Sequence, residues 1–116
     1  MNLIGILSKK FRRPTLKPPK MYVLVRKDLN PVYSCVQGSH AISQFALDHR
    51  DLFDAWNNNT VVFLGISNEY SMRLWRSKLL EANKTFSQFK EPDLRYALTS
   101  IACVDTGEIF KDLRIA

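Results

Sequence analysis

Two apolar runs, at 21–25 and at Val61–Ile66, constrain the fold of this chain most strongly. Such runs are typical of strands that are buried on both faces, as in the centre of a parallel sheet. Charged residues follow the first run, and then come a turn at Asn30 and Pro31 and a segment with helical spacing. We therefore expect a strand, a right-handed crossover helix and a second strand parallel to the first.

Three segments have the spacing of helices. Ser34 is a suitable N-cap for a helix that runs to about His49, and helices are also expected over 51–56 and 68–83. Each long helix has a predicted core side, formed by Cys35, Gly38, Ile42, Phe45 and Ala46 in the first and by Met72, Trp75, Leu79 and Ala82 in the last. The opposite side of the first helix is predicted to carry Ser34, Gln37, Ala41, Gln44 and Asp48, with His40 on its flank.

Two further strands complete the predicted sheet. Residues 85–90 indicate a strand near an edge, and residues 98–104 indicate a strong strand antiparallel to it, because the link between them is too short for a crossover helix. A last helical turn is expected over 107–113. The sequence thus predicts one α/β domain over 21–116, with a mixed four-stranded sheet, helices on both faces and the order β-α-(α)-β-α-β-β-(α).

Composition excludes several other classes of protein. With 116 residues, of which 46% are hydrophobic and 24% charged, the chain is typical of one globular domain. No apolar run reaches the roughly 18–20 residues of a bilayer span, so we do not expect an integral membrane protein. Cys35 and Cys103 lie far apart and outside any CxxC pattern, which argues against a zinc ribbon or a disulfide. Both are expected to be small core residues in a reducing compartment.

The net charge of +6 belongs to the N-terminal segment. Residues 1–20 hold six of the 17 basic residues and no acidic one, which leaves eleven bases against eleven acids in the rest of the chain. We expect residues 1–20 to be a flexible basic extension that can touch acidic surfaces. The segment is also compatible with a surface-lying helix or a mitochondrial presequence. A cytoplasmic protein is expected, with a mitochondrial one as the alternative.

Polar side chains cluster at the predicted carboxyl ends of the strands, where open α/β sheets bind their ligands. The set consists of Arg26, Lys27 and Asp28 after the first strand, Ser34, Gln37 and His40 in the helix that follows, and Glu91 and Asp93 after the third strand. A carboxylate, an imidazole, an amide and cations in one cleft, beside the free N–H groups of a helix start, suit acyl transfer or hydrolysis. Each residue also has a structural alternative, as a cap, a turn residue or a surface charge.

Other kinds of active site are not indicated. The chain has no GxSxG elbow and no glycine-rich phosphate loop. His40 and His49 are nine positions apart with no third ligand nearby, a pattern that does not make a zinc site. We expect neither a metal nor a cofactor.

Two motifs resemble the type II peptidyl-tRNA hydrolases. Residues 23–29 read Val-Leu-Val-Arg-Lys-Asp-Leu and residues 36–41 read Val-Gln-Gly-Ser-His-Ala, similar to the family's strand ending in Arg-x-Asp-Leu and its helix with Gln-Cys-x-His-Ala. Residues 89–94, Phe-Lys-Glu-Pro-Asp-Leu, and 98–102 resemble the acidic loop and last strand of a shorter branch. The resemblance covers 21–116. It implies a four-stranded mixed sheet between helices and metal-free hydrolysis of the ester that joins a peptide to the tRNA 3′ ribose, often by a homodimer.

The resemblance also implies roles for residues. Gln37 and His40 match the helix motif, Asp28 matches the acid at the strand end, Asp93 or else Glu91 stands for the acid of the later loop, and Thr99 matches the threonine that opens the last strand. The family's lysine four residues before the glutamine is Tyr33 here, and Lys27 is the nearest substitute. Gly38 replaces the family's cysteine.

We therefore expect hydrolysis of an acyl ester of tRNA by water. Asp93 with His40 would orient or deprotonate the water, and Gln37 with Lys27 and the helix start would stabilise the oxyanion. Substrate contacts are expected from Arg26, Asp28, Ser34, Glu91 and Thr99. The main alternative, favoured by the missing lysine, is a non-catalytic module that binds tRNA, a nucleotide or a protein. A third hypothesis gives the function to the basic segment, which would tether the domain to a membrane or an acidic surface.

Overall fold

The structure is a computed structural model, and it describes residues 17–116. The strands are β1 (Lys20–Arg26), β2 (Val61–Ile66), β3 (Phe86–Glu91) and β4 (Ala97–Asp105). The helices are α1 (Pro31–Asp48), α2 (Arg50–Trp56) and α3 (Glu69–Glu81), and short 3-10 turns cover Pro92–Leu94 and Glu108–Phe110. The predicted α/β class and the order of elements are confirmed.

The four strands form one mixed sheet in the order β2-β1-β4-β3. β1 and β2 are parallel, with Val23 opposite Phe63, and β4 lies antiparallel to both β1 and β3. The direction of β3 is therefore that of β1, so the carboxyl ends of these two strands lie at the same edge of the sheet. The edge position of β3 and its antiparallel pairing with β4 are as predicted.

Helices cover both faces of the sheet. On one face, α3 packs Met72 and Leu79 against a core that includes Leu24 and Ile101. On the other face, α1 and α2 pack Phe45 and Trp56 against strand residues such as Val23. Of the predicted core side of α3, Met72 and Leu79 are buried, whereas Trp75 is only partly buried against the core and Ala82 is exposed.

The first long helix differs from its prediction. It begins at Pro31 rather than after Ser34, because the Asn30 side chain accepts hydrogen bonds from the backbone N–H groups of Val32 and Tyr33, and proline suits the first helical position. Its buried side is also rotated relative to the prediction, and it consists of Ser34, Gln37, Gly38, Ala41 and Phe45.

This rotation has two consequences for single residues. Cys35 is exposed and so is not the core residue that we predicted, whereas Cys103 is buried. Gly38 allows a close approach where α1 crosses the sheet, since a Cβ atom there would lie 2.5 Å from the Phe63 ring and 3.0 Å from Val23, so that the Phe63 side chain would have to shift.

Most of the predicted basic extension, residues 1–16, lies outside the described residues. Lys20, which we assigned to the extension, is the first residue of β1 and pairs with Asp105. None of the helices in 17–116 combines the length and apolarity needed to cross a bilayer.

Candidate functional site

The Gln37 side chain joins α1 to the ends of β3 and β4. Its amide nitrogen donates to Glu91 Oε1 at 2.8 Å, and its amide oxygen accepts from Thr99 Oγ1 at 2.5 Å. Its backbone carbonyl accepts from Ser100 Oγ at 2.6 Å. Gln37 and Thr99 are fully buried, so these bonds form a closed network inside the protein.

A β-bulge makes this network possible. Phe89 is opposite Ser100 and Lys90 is opposite Leu98, so Thr99 has no partner on β3. The extra residue interrupts the alternation of side chains along β4. As a result, the neighbouring Thr99 and Ser100 both direct their hydroxyl groups to the same helix residue.

Glu91 is a buried carboxylate held in its charged form. Its Oε2 atom accepts the backbone N–H of Asp93 at 3.0 Å. The pKa of Glu91 is lowered, first by that backbone N–H, then by the Gln37 amide, with smaller contributions from His40 and Tyr33. The same contact caps the Pro92–Leu94 turn, so Glu91 links the buried network to the loop that carries Asp93.

Three accessible side chains surround the network. Asp93 is exposed, and no side-chain hydrogen bond to its carboxylate is found within 17–116. His40 is exposed and stacks on Phe89, with 4.4 Å between ring centroids and 9° between planes. The pKa of Tyr33 is raised by partial burial and by the nearby charges of Glu91 and Asp93, so its phenol is a neutral O–H donor at neutral pH.

Arg26 and Asp28 lie apart from this network and bind each other. The guanidinium donates to both carboxylate oxygens, at 2.9 and 2.8 Å. This hydrogen bonding is the main cause of the raised pKa of Arg26 and the lowered pKa of Asp28. Because Arg26 lies two positions after Leu24, it points to the α3 face of the sheet, whereas Gln37 lies on the α1 face.

Lys27 is also separate, which corrects the prediction of a single cleft. Its side chain lies over Gly65 of β2, where a Cβ atom would be 2.6 Å from Lys27 Cδ. It lines a pocket of about 300 Å³ together with Cys35 and Phe63, on the β2 side of β1. Glu91 and Thr99 lie in the strands on the other side of β1, so Lys27 lies away from the Gln37 network.

Burial changes the roles predicted for several other residues. Ser34 Oγ donates to the Arg26 carbonyl at 2.6 Å and is buried, so Ser34 is a structural tie rather than an N-cap or a substrate contact. Gln37, Glu91 and Thr99 are likewise buried, so their side chains are not accessible for the direct contacts that we predicted. The start of α1 does not offer free N–H groups as predicted, because Asn30 occupies them.

The residue that sequence reasoning undervalued is Tyr33. From the sequence, Tyr33 is notable only because it stands where the resembled family has a lysine. The structure places its phenol beside Glu91 and Asp93. The sequence does indicate this placement, because Tyr33 lies four positions before Gln37 and residues four apart on a helix lie on the same face.

No cluster of three metal-binding side chains occurs within residues 17–116. The structure thus gives no residues to which a metal could be assigned in this part of the chain.

Comparisons with known proteins show the fold of the chain. No protein-family model matches it, and no curated protein matches its sequence. A solved structure of a protein of unknown function, Atu0240 from Agrobacterium tumefaciens strain C58, is similar with a TM-score of 0.66 and 13% sequence identity. The similarity covers 87% of this chain and 99% of the other. At this level of identity, the likeness concerns the architecture alone.

Proposed function

We propose that this protein hydrolyses the ester between a peptide and the 3′ ribose of tRNA. The observation that carries the proposal is the contact between two distant motifs. Gln37 of the helix motif bonds to Glu91 of the acidic loop, 54 positions away, and to Thr99 of the last strand, 62 positions away. The exposed side chains of the same motifs, His40 and Asp93, border this contact.

Asp93 is the general base of the proposed reaction. Its exposed carboxylate takes a proton from water as the water oxygen attacks the ester carbonyl carbon. The carbonyl oxygen becomes an oxyanion, and its collapse breaks the bond to the ribose 3′ oxygen. That oxygen receives a proton, so the products are a peptide acid and a tRNA with a free 3′ hydroxyl.

Tyr33 and His40 supply the hydrogen bonds that the ester needs. The neutral phenol of Tyr33 occupies the position of the family lysine, and in the reaction its single O–H turns from Glu91 to the developing oxyanion. His40 is held by its stacking on Phe89 and delivers a proton to the leaving oxygen.

Gln37, Glu91 and Thr99 act as positioning residues in this scheme. They are buried, so they do not touch substrate, but Glu91 holds the backbone of Asp93 and Gln37 holds Glu91. Pre-organisation of this kind keeps the base in place without structural adjustment during the reaction.

The proposal is tested with the full chain and peptidyl-tRNA, scoring peptide release beside binding of unacylated tRNA. Asp93→Asn should lower turnover by about 10²–10⁴-fold, as loss of a general base usually does. Its melting temperature should change little, because Asp93 is exposed. Asp112→Asn, at another exposed aspartate beyond the last 3-10 turn, is the matched control and should keep full turnover. Full activity of Asp93→Asn would refute the catalytic assignment.

One observation favours a second function, a module that binds acylated tRNA without cleaving it. No hydrogen bond from a lysine to the network is found within 17–116, and the Gln37 amide is already occupied. The peptide-release assay distinguishes the hydrolase from the binding module, since the module binds peptidyl-tRNA and releases no peptide.

A further inference from the structure

Left-handed backbone occurs at six residues within 17–116. Four of them are residues that tolerate this conformation well, namely Asn57, Asn58, Asn83 and Gly107. The other two are consecutive and are of types that rarely adopt it, Arg95 with φ 56° and Tyr96 with φ 62°. The chain therefore places asparagine or glycine at every described left-handed position except the two that follow the Asp93 turn.

Backbone hydrogen bonds to Glu91 and Pro92 hold this unfavourable backbone in place. The Tyr96 N–H donates to the Glu91 carbonyl at 2.8 Å, and the Arg95 N–H donates to the Pro92 carbonyl at 3.2 Å. The residue whose carboxylate fixes Asp93 thus also fixes Tyr96 through its backbone. Unfavourable backbone that persists beside a candidate site is an indication of function.

The side chains of the two left-handed residues, Arg95 and Tyr96, face solvent. Tyr96 is 65% exposed and Arg95 is exposed as well. Core packing therefore does not explain why these two residues occupy left-handed positions that asparagine or glycine would adopt at a lower energetic cost. An exposed phenol ring and a planar guanidinium are the groups on which unpaired RNA bases stack.

We propose that Tyr96 and Arg95 form a stacking platform for unpaired RNA nucleotides next to Asp93. The choice of the tRNA 3′ end as that RNA rests on the proposed function, because the scissile ester is attached to this unpaired end. A base stacked on Tyr96 brings the terminal ribose, and with it the ester, to the exposed carboxylate. The platform discriminates RNA with an unpaired 3′ end from blunt RNA.

Two hairpin RNAs of identical stem, one blunt and one with four unpaired 3′ nucleotides, test the platform in titrations with the full chain. The measured quantity is the ratio of the two affinities, since the basic residues 1–16 strengthen the binding of both RNAs. The wild type should prefer the unpaired end by about 10-fold to 100-fold. Tyr96→Asn should remove the preference, and Tyr96→Phe should keep it because the ring remains. Tyr70→Asn is the matched control, since Tyr70 is 70% exposed but lies on α3.

Thermal melting separates loss of function from loss of structure. Asparagine tolerates left-handed backbone, so Tyr96→Asn should melt at or above the wild-type temperature while it loses the RNA preference. A wild type that binds both hairpins equally, or a Tyr96→Asn variant that keeps the preference, would overturn the platform. The peptide-release assay is independent. A Tyr96-dependent preference without ester cleavage supports the platform and counts against the hydrolase, whereas cleavage with an unchanged KM in Tyr96→Asn counts against the platform alone.

Discussion

The Gln37 amide and the Glu91 carboxylate form a buried hydrogen bond of 2.8 Å that ties the middle of α1 to the end of β3. Glu91 in turn holds the backbone N–H groups of Asp93, through its carboxylate, and of Tyr96, through its carbonyl. The buried pair therefore fixes the backbone positions of the exposed Asp93 and Tyr96.

Gln37→Ala should destabilise the protein by about 1–3 kcal/mol, because it leaves the buried Glu91 and Thr99 groups without their partner. Chemical denaturation measures the change. Gln44→Ala on the same helix is the control. Among residues 17–116, the Gln44 side chain hydrogen-bonds to the exposed Asp48 alone, so the Gln44→Ala substitution should change the free energy of unfolding by no more than about 0.5 kcal/mol. Equal effects of the two substitutions would show that the Gln37 network contributes no special stability.

Stability should depend on pH through Glu91. Its pKa is lowered in the folded state, so its contribution is present above the ordinary glutamate value of about 4.3 and is lost as the pH falls through the lowered folded value. Glu91→Gln should therefore be less stable than the wild type at pH 7, and the difference should shrink below about pH 4. Denaturation midpoints between pH 3 and pH 7 give this difference. A gap that stays constant over the whole range would contradict the assignment.

Much of the fold could be predicted because the strands are nearly continuous apolar runs and the chain alternates between strand and helix patterns. The buried side of α1 could not be predicted from the sequence. Ser34 and Gln37 have polar side chains that resemble a solvated face, and the groups that satisfy them, Arg26 and Glu91, come from other elements. The bulge that turns Thr99 toward α1 depends on the pairing of β3 with β4 and leaves no local pattern.

The candidate site was predictable only in part, for a related reason. Sequence order placed Lys27 and Asp93 at the same edge of the sheet, but that edge is four strands wide, and β4 lies between β1, which Lys27 follows, and β3, which precedes Asp93. The resemblance to a family pointed to Gln37 and His40 and to Asp93 or else Glu91, and the structure shows that Gln37 and Glu91 are buried whereas His40 and Asp93 are exposed. Tyr96 carries no turn signal, because tyrosine is not a residue that favours left-handed backbone.

The basic N-terminal segment should supply much of the salt dependence of RNA binding. Removal of residues 1–16 takes away Lys9, Lys10, Arg12 and Arg13 and leaves β1 intact. The slope of log K against log salt should fall by up to about 3, since each released counterion contributes about 0.7–0.9. The test is a measurement of RNA affinity at several salt concentrations between about 50 and 200 mM, a range over which such slopes are readily determined. An unchanged slope would place the electrostatic contacts on residues 17–116 instead.

Tyr33 offers the sharpest test of the proposed hydrolysis. If its phenol donates to the oxyanion, Tyr33→Phe should lower kcat by about 10²–10³-fold, as the loss of one oxyanion donor does, with little change in KM. Tyr33→Lys should keep turnover, because an ammonium group at this position donates to the same oxygen. The pKa of Tyr33 is raised, so wild-type kcat should show no loss from phenol ionisation until the pH passes about 10. Tyr70→Phe, at an exposed tyrosine of α3, controls for the general loss of a hydroxyl group. Full turnover of Tyr33→Phe would show that the oxyanion is stabilised by another group, and His40 would be the next donor to substitute.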